Sequence, residues 1–509
     1  MAMTFQQLLD GAEILWQSGD PGVSGVEYDS RRVKPGCVFV AMRGESSDGN
    51  RFIDLAIKAG AVGVVTDSAA ENARDKVAWA VVPHGRRALA RLSANLYNKP
   101  AERLAVTGIT GTNGKTTIAF LVESILAAAG RNSALIGTIE YHVAGKVLPA
   151  PHTTPEALDL NRILNESLGQ GATDAVMEVS SHALAQERVF GVPFDVAVFT
   201  NLTRDHLDYH KTMDEYFASK RVLFAGCGTD APRAAVLNVD DEFGVKLAEF
   251  SRKRSALVLK YGWERGHLHA DKVEITPRGT RFVLVTPEDK IPVFSPLIGR
   301  VNVYNILAAA GAAYARKCQA EAIAQGIEKL TRVPGRFERV DCGQPFTVVV
   351  DYAHTDDALR NLTVLAREFV SQNGSTGRVL TLFGCGGDRD RTKRPLMGEV
   401  AGRGSDFVVL TSDNPRGEDP CSIMNDALVG LQKSSAKYAV EAERKKAIML
   451  AIGEARPGDI VLLAGKGHEK VQVTREGARP FDDVEVAREA LRLAGFDCEA
   501  ASAAAGTRT

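Results

Sequence analysis

Leu104-Ala-Val-Thr-Gly-Ile-Thr-Gly-Thr-Asn-Gly-Lys-Thr-Thr117 runs from an apolar strand through a glycine-spaced loop into a helix. The helix opens at Lys115-Thr116-Thr117 and stays apolar through Ile118-Ala-Phe-Leu-Val122 to about Ala129, with Gly130 as a natural stop. Glycines at 108, 111 and 114 let backbone N–H groups turn inward around a phosphate. The helix N-terminus adds partial positive charge, Lys115 adds a full one, and Thr116 offers a hydroxyl to Mg²⁺. The stretch therefore reads as a phosphate-binding loop and implies a nucleoside triphosphate. The general pattern G-x-x-x-x-G-K-[ST] has glycine where this chain has Ile109. A tight turn with a surface lysine is the alternative, and the strand–loop–helix context favours the phosphate loop.

The 509 residues suffice for about three domains of ~150 residues each. A formal net charge of −1 argues against a nucleic-acid-binding surface. Charged residues at 25% and apolar ones at 45% describe a soluble globular chain. The cysteines at 37, 227, 318, 342, 385, 421 and 498 form no C-x-x-C pair. They read as free, mostly buried thiols in a reducing cytoplasm, not as a disulfide framework or a zinc site. The start Met1-Ala-Met-Thr-Phe-Gln6 has no signal-peptide character, and no run of about 18 apolar residues predicts a membrane span. The alanine-rich end reads as a disordered tail over 498–509.

Three α/β blocks precede that tail. The first, 1–98, holds the short strands Cys37–Ala41, Gly63–Thr66 and Ala78–Val82, with amphipathic helices over Arg51–Ala59 and Arg86–Tyr97. The second, 99–331, starts with the phosphate loop. Its later apolar strands, Asp174–Val179, Val196–Thr200 and Ala234–Asn238, predict a parallel sheet covered by helices, and a β-rich stretch follows through Val285. The third, 332–497, has Phe346–Asp351, Val379–Phe383, Phe407–Thr411 and Asp459–Ala464, each ending in a polar loop. That is the pattern of a Rossmann-like doubly wound sheet, which binds ligands at the carboxyl ends of its strands.

Glu178 ends a buried strand, where a carboxylate needs a cation or donors to stay ionised. Beside a nucleotide loop, Mg²⁺ is the economical partner; a helix-capping glutamate is the alternative. Asn201-Leu-Thr-Arg-Asp-His-Leu-Asp-Tyr-His210 crowds polar groups after another strand and makes His206 a metal or phosphate contact. His152-Thr-Thr-Pro155 and Ser180-Ser-His-Ala-Leu-Ala-Gln-Glu-Arg188 supply hydroxyls, an amide and a guanidinium suited to an anionic, amide-containing substrate.

These motifs, with Gly299-Arg-Val-Asn-Val-Tyr-Asn305, Pro334-Gly-Arg-Phe-Glu338, Asp351-Tyr-Ala-His354, Gly384-Cys-Gly-Gly-Asp-Arg-Asp390, Asp413-Asn-Pro-Arg416 and Gly465-Lys-Gly-His-Glu469, resemble the Mur ligases, which build the peptide stem of peptidoglycan. The likeness spans Asp29-Ser-Arg31 to Glu469 and is greatest to the members that add the third amino acid. It implies that Ser30 and the loop Glu45-Ser-Ser47 hold the UDP end of UDP-N-acetylmuramoyl-L-alanyl-D-glutamate, and that Thr153, Thr154, Ser180, Gln186 and Arg188 hold its muramoyl-dipeptide. Gly111, Thr112, Asn113, Gly114, Lys115, Thr116 and Thr117 would hold the triphosphate of ATP, with Asn305 at adenine and Arg336 and Asp351 near the nucleotide. Thr116 and Glu178 would bind one Mg²⁺, and His206 a second together with Lys220 as a carbamate. Arg389, Asp413, Asn414, Pro415, Arg416, Gly465 and Glu469 would bind meso-diaminopimelate.

The resemblance further implies a cytoplasmic, monomeric, ATP-dependent amide ligase with an acyl-phosphate intermediate, in which Lys115, Lys220 and His206 serve catalysis. Its rivals are an L-lysine-adding ligase of the same family, a folylpolyglutamate synthase-like ligase without the first block, and a non-catalytic P-loop switch. The chain departs from the family in having Asp356 where proline usually follows Asp351-Tyr-Ala-His-Thr355, which predicts a looser turn near ATP.

Overall fold

Each block builds its own sheet. The computed structural model describes residues 3–44, 47–69, 76–372 and 377–498; Glu45, Ser46 and the tail beyond Cys498 lie outside them. In the first sheet the strands Trp16–Ser18, Ala78–Val81, Gly63–Thr66, Cys37–Ala41 and Gly25–Glu27 lie in that order, parallel except at the Trp16–Ser18 edge. Its three central strands are buried throughout, which is why they read as unbroken apolar runs. The helix Gly85–Leu96 lays Ala88, Leu89 and Leu92 on Val38, Val40 and Val65.

The second sheet has eight strands. Ala105–Thr110 lies inside it, parallel to Asp174–Glu178 on one side and Phe194–Phe199 on the other. The chain leaves Ala105–Thr110 through the helix Lys115–Ala128 and returns as Ser133–Ile136, beyond Asp174–Glu178; the later strands Phe194–Phe199, Ala234–Asn238 and Leu257–Tyr261 extend the other side. Strand order therefore switches at Ala105–Thr110, and the crevice at its carboxyl end is where such sheets bind ligands. Ile118, Leu121, Val122 and Ile125 on the helix pack against Ile306, Leu307 and Ala310 of the helix Arg300–Ala315 and Ile323 and Ile327 of Ala320–Lys329. A three-stranded antiparallel sheet, His269–Thr276, Gly279–Val285 and Lys290–Ser295, follows.

The third sheet orders Glu338–Val340, Thr347–Asp351, Ile460–Ala464, Val379–Phe383, Phe407–Thr411 and Lys437–Glu441, parallel except at its first edge. Among the described residues no helix is long and apolar enough to cross a membrane.

Two features depart from the sequence reading. Cys342 and Cys498 are disulfide-bonded across 156 residues, which corrects the expectation of free thiols there, whereas Cys37, Cys227, Cys318, Cys385 and Cys421 are free. The bond joins the turn after Glu338–Val340 to the chain beyond the helix Asp483–Leu493, where Phe346 meets Phe496 edge-on. Spacing along the chain cannot reveal that proximity. The second feature is a hairpin, Glu140–Val143 with Lys146–Pro149, turned by Ala144 and Gly145, both at positive φ. Ala-Gly is a weaker hairpin signal than Asn-Gly or Asp-Gly.

His142 pins that hairpin to the helix of the phosphate loop: Nδ1 lies 2.6 Å from Glu123 Oε1 and Nε2 lies 2.9 Å from Glu140 Oε1. Burial opposes the imidazolium, but the hydrogen bonds and charges of Glu123 and Glu140 outweigh it and raise the pKa from 6.5 to about 9. A pKa raised on folding stabilises fully below the unfolded value and is lost as pH rises through the folded one. His142→Gln should therefore cost stability below pH 6.5 and approach wild type above pH 9. Urea denaturation on both sides of that window checks this, and an equal loss at both ends would show that the ion pairs contribute nothing.

Candidate active site

The loop between Ala105–Thr110 and Lys115–Ala128 is shaped by two glycines at positive φ. A Cβ on Gly111 would lie 1.8 Å from Thr200 Oγ1, and one on Gly114 would lie 2.5 Å from Asn305 Oδ1. The second contact seats Asn305, from the helix Arg300–Ala315, against the loop. Thr112 N donates to Asn201 O at 2.8 Å, and Asn113 N donates to Asn201 Oδ1 at 2.9 Å. Thr112 Oγ1 lies 3.2 Å from Tyr216 OH, and Thr117 is buried in the helix's first turn.

Two lysines converge here. Lys115 Nζ donates to Gly111 O at 3.0 Å and Thr112 O at 2.9 Å. Lys220, buried on the helix Met213–Ala225, donates to the same Gly111 O at 2.8 Å and lies over the Tyr216 ring. Desolvation lowers both pKa values, and the Lys115 charge lowers that of Lys220 further.

Glu178 ends its strand in register with Ile109 of the loop strand and is buried. Its Oε2 accepts from Thr116 Oγ1 and Thr138 Oγ1, each at 3.0 Å, and its Oε1 accepts from Thr138 N at 2.8 Å. Neutral donors thus surround a buried carboxylate beside the hydroxyl that a phosphate loop offers to Mg²⁺. The pair fits a hard cation shared with phosphates and water. Among the described residues no three His, Cys, Asp or Glu side chains converge as a metal cage. His206 follows Phe194–Phe199 in the left-handed region (φ +54°), with its ring against His182 and Tyr216. Its ring and the Lys220 amine both lie against the Tyr216 ring; desolvation lowers its pKa against the pull of Asp205, and the charges of His182, Lys220 and Lys115 lower it further.

Thr154 Oγ1 donates to Glu178 O at 2.8 Å and accepts from Ser180 N at 3.1 Å, while Thr153 Oγ1 lies 3.1 Å from Thr138 Oγ1. The threonines are thus tied to the Glu178 strand. Ser180 caps the short helix Ser181–Ala185. Arg188 donates to Gln186 Oε1 at 2.7 Å and to Thr154 O at 3.0 Å, and pairs with Glu156. Ser30 lies just beyond Gly25–Glu27 in the first block, whose neighbour Tyr28 donates to Asp159 across the block boundary at 2.8 Å.

The third block closes the cleft. Arg336 donates to Thr116 Oγ1 at 3.3 Å and lies over the Tyr352 ring. Burial raises the pKa of Asp351, whose carboxylate accepts from Phe337 N and Ala353 N. At the departure from the family pattern, Thr355 Oγ1 accepts from Ala358 N, and Asp356 opens the helix Asp356–Gln372, a position that tolerates proline and favours an acid alike. Asp357 then accepts from Asn113 Nδ2 at 2.9 Å, a link between phosphate loop and third block that no motif announced.

Arg389, in the loop after Val379–Phe383, is exposed; Arg416, in the loop after Phe407–Thr411, is half-buried. A Cβ on Gly386 would lie 3.0 Å from Arg416 Nη1 and 3.7 Å from Arg389 Cγ, so both side chains pass Gly386, and burial and then the Arg389 charge lower the pKa of Arg416. Arg416 Nη1 donates to Gly387 O at 2.9 Å, and Pro415 packs on Gly387. A Cβ on Gly465 would lie 2.6 Å from Asp413 Oδ2, so the Gly465–Glu469 loop lies against Asp413. Sequence reasoning missed Lys466: buried, its Nζ donates to Asn414 Oδ1 and Glu469 Oε2, each at 3.0 Å.

The chain matches three family models: Mur ligase family, catalytic domain, over residues 22–97; Mur ligase middle domain over 109–313; and Mur ligase, glutamate ligase domain over 335–467. It is 54% identical over 476 residues to a UDP-N-acetylmuramoyl-L-alanyl-D-glutamate–2,6-diaminopimelate ligase of Solibacter usitatus, covering 93% of this chain and 94% of that protein. It is 46% identical over 490 residues to one of Geobacter metallireducens, covering 92% and 94%. A solved structure of a ligase with the same name superposes with a TM-score of 0.68 at 33% identity, covering 97% of this chain and 99% of that one.

Lys115 joins the fold through two loop carbonyls and no core packing, so Lys115→Ala should cost at most about 1–2 kcal/mol of stability. Its nucleotide-dependent phosphate release should nevertheless vanish. Normal turnover by a folded Lys115→Ala protein would remove the loop from the chemistry.

Proposed function

The chain belongs to the Mur ligase family, and on that premise we infer that it is the ATP-dependent ligase joining meso-2,6-diaminopimelate to UDP-N-acetylmuramoyl-L-alanyl-D-glutamate. The reading places it in cytoplasmic peptidoglycan precursor synthesis and has it act as a monomer. The observation that supports the choice of amino acid is the pair of arginines, Arg389 and Arg416, gathered at Gly386, with Asp413 and Glu469 held around Lys466 in the adjoining loops.

The D-glutamyl carboxylate attacks the γ-phosphorus of ATP, giving an acyl phosphate and ADP. The amine of the incoming amino acid then attacks the acyl carbon, and phosphate leaves with the C–O bond while the nitrogen loses a proton. A carboxylate and a triphosphate repel each other, so the protein's task is positioning and charge neutralisation. Lys115 turns from the loop carbonyls to the phosphates, and Arg336 adds a second cation from the third block. Thr153, Thr154, Ser180, Gln186 and Arg188 align the muramoyl-dipeptide, and Ser30 holds its UDP end. Two Mg²⁺ ions, one at Thr116 and Glu178 and one at His206 and Lys220, would supply further neutralisation of the phosphates.

Lys220 takes part in this reading as a carbamate. An ammonium cannot ligate a metal, and only the neutral amine adds to CO₂ with loss of a proton. Burial and the Lys115 charge favour that neutral amine. Lys220→Ala should be nearly inactive and partly rescued by acetate, which would supply the missing carboxylate. Wild-type turnover in Lys220→Ala would refute the role.

Diaminopimelate and L-lysine differ by one carboxylate at the far end of the side chain. With lysine bound, Arg416 would be left without its anion, a loss larger than that of a methylene. Phosphate release driven by UDP-N-acetylmuramoyl-L-alanyl-D-glutamate should therefore favour diaminopimelate over lysine by at least about a hundredfold in kcat/KM. Arg416→Ala should lose most of that margin. Equal use of lysine by the wild type would show that the amino acid is wrongly assigned.

A further inference from the structure

The two loops that carry Arg389 and Arg416 hang from neighbouring parallel strands, Val379–Phe383 and Phe407–Thr411. Both include non-glycine residues in the left-handed region, Asp388 (φ +51°) and Arg416 (φ +50°), conformations that persist only where surrounding bonds impose them. The bonds that cross between the loops are numerous. Asp388 N donates to Glu418 Oε1 at 2.6 Å, Gly417 N to Asp388 Oδ2 at 2.9 Å, and Gly387 N to Asn414 O at 2.9 Å.

At their centre stands Arg394, fully buried on the helix Lys393–Gly404. Its guanidinium forks onto both oxygens of Glu418, at 2.7 and 3.1 Å. It also reaches Gly386 O in the first loop at 3.3 Å and Asp426, on the helix Pro420–Leu431 that follows the second loop, at 2.9 Å. Glu418 is thus held by a fixed cation while it fixes the backbone of Asp388, the residue before Arg389. The Arg394 hydrogen bonds lower its pKa to about 2, so the brace stays ionised throughout the working range.

We propose that Arg394 and Glu418 are positioning residues that set amino-acid selectivity by holding the Arg389 loop in register with the Arg416 loop. Neither touches substrate. Their effect is the separation of two guanidiniums that must meet one carboxylate together, where displacement of one cation weakens a bidentate grip. The inference rests on the reading of this region as the diaminopimelate site.

Glu418→Gln keeps the size of the side chain and an acceptor for Asp388 N but removes the ion pair, and Arg394→Lys keeps the charge but cannot fork. In the full-length enzyme each should raise KM for diaminopimelate about tenfold and cut its preference over lysine by a similar factor. KM for ATP and for the UDP-dipeptide should stay unchanged. A residue that merely stabilised the fold would lower the amount of active enzyme, and so kcat, with KM and preference intact; that result overturns the proposal. Arg394 is buried, so if Arg394→Lys does not fold, the partly exposed Glu418→Gln decides alone. Wild type, run in parallel, separates the two failures. A wild type indifferent to diaminopimelate sinks the site assignment and the proposal with it. A selective wild type beside an equally selective Glu418→Gln sinks the proposal only.

Discussion

The carbonyl oxygen of Gly111 accepts from two lysine nitrogens, Lys115 Nζ and Lys220 Nζ. Two charged amines on one backbone oxygen, largely removed from water, would be a costly arrangement, and burial and then the Lys115 charge disfavour the proton on Lys220. Every other group at the site is fixed around that oxygen. Thr200 and Asn305 occupy the space that side chains on Gly111 and Gly114 would need. Thr112 is tied to Tyr216 on the helix that brings Lys220. Asn113 is tied to Asp357 in the third block. The loop thus gathers inward-facing N–H groups and the Lys115 cation, whose natural complement is a triphosphate.

Much of this was legible in the sequence, and for identifiable reasons. Ala234–Asn238, Val379–Phe383 and Phe407–Thr411 have the bounds that their runs mark out, because a parallel strand buried on both faces reads as a near-continuous apolar run and stops where the polar loop begins. The phosphate loop was legible because its chemistry is local: strand, glycines, lysine and helix are contiguous. What escaped the sequence depends on pairs distant along the chain. Cys342 and Cys498 meet because the sheet's edge strand and last helix end together. Asn113 meets Asp357 because one block closes on another, and Glu123 meets His142 because a hairpin folds back on the first helix. The departure at Asp356 falls in the first turn of a helix, which accommodates an acid or proline.

The amino-acid end of the cleft repeats the logic of the phosphate end with both signs present. Arg389 and Arg416 sense each other as like charges, while Asp413 and Glu469 lie close by around a buried cation, Lys466. On the proposed reading, a zwitterionic side chain would meet the guanidinium pair with its carboxylate and the carboxylate pair with its ammonium at once. A purely cationic one would meet only the second.

Lys466 also decides what Asn414 can do there. The Asn414 carboxamide oxygen already accepts from Lys466 Nζ at 3.0 Å and from Val473 N at 2.9 Å, which uses both of its lone pairs. Its nitrogen donates one hydrogen to Glu469 Oε2 at 2.8 Å and keeps the other. Asn414 is thus saturated as an acceptor; what it can still offer is a donor. If this region holds diaminopimelate, as proposed, Asn414 stands with Arg416 and Arg389 on the side that would read a carboxylate, and the ammonium is left to Asp413, Glu469 and the Gly465 carbonyl. A residue that the sequence passed over, a lysine between two glycines, thus determines the polarity of one the sequence singled out.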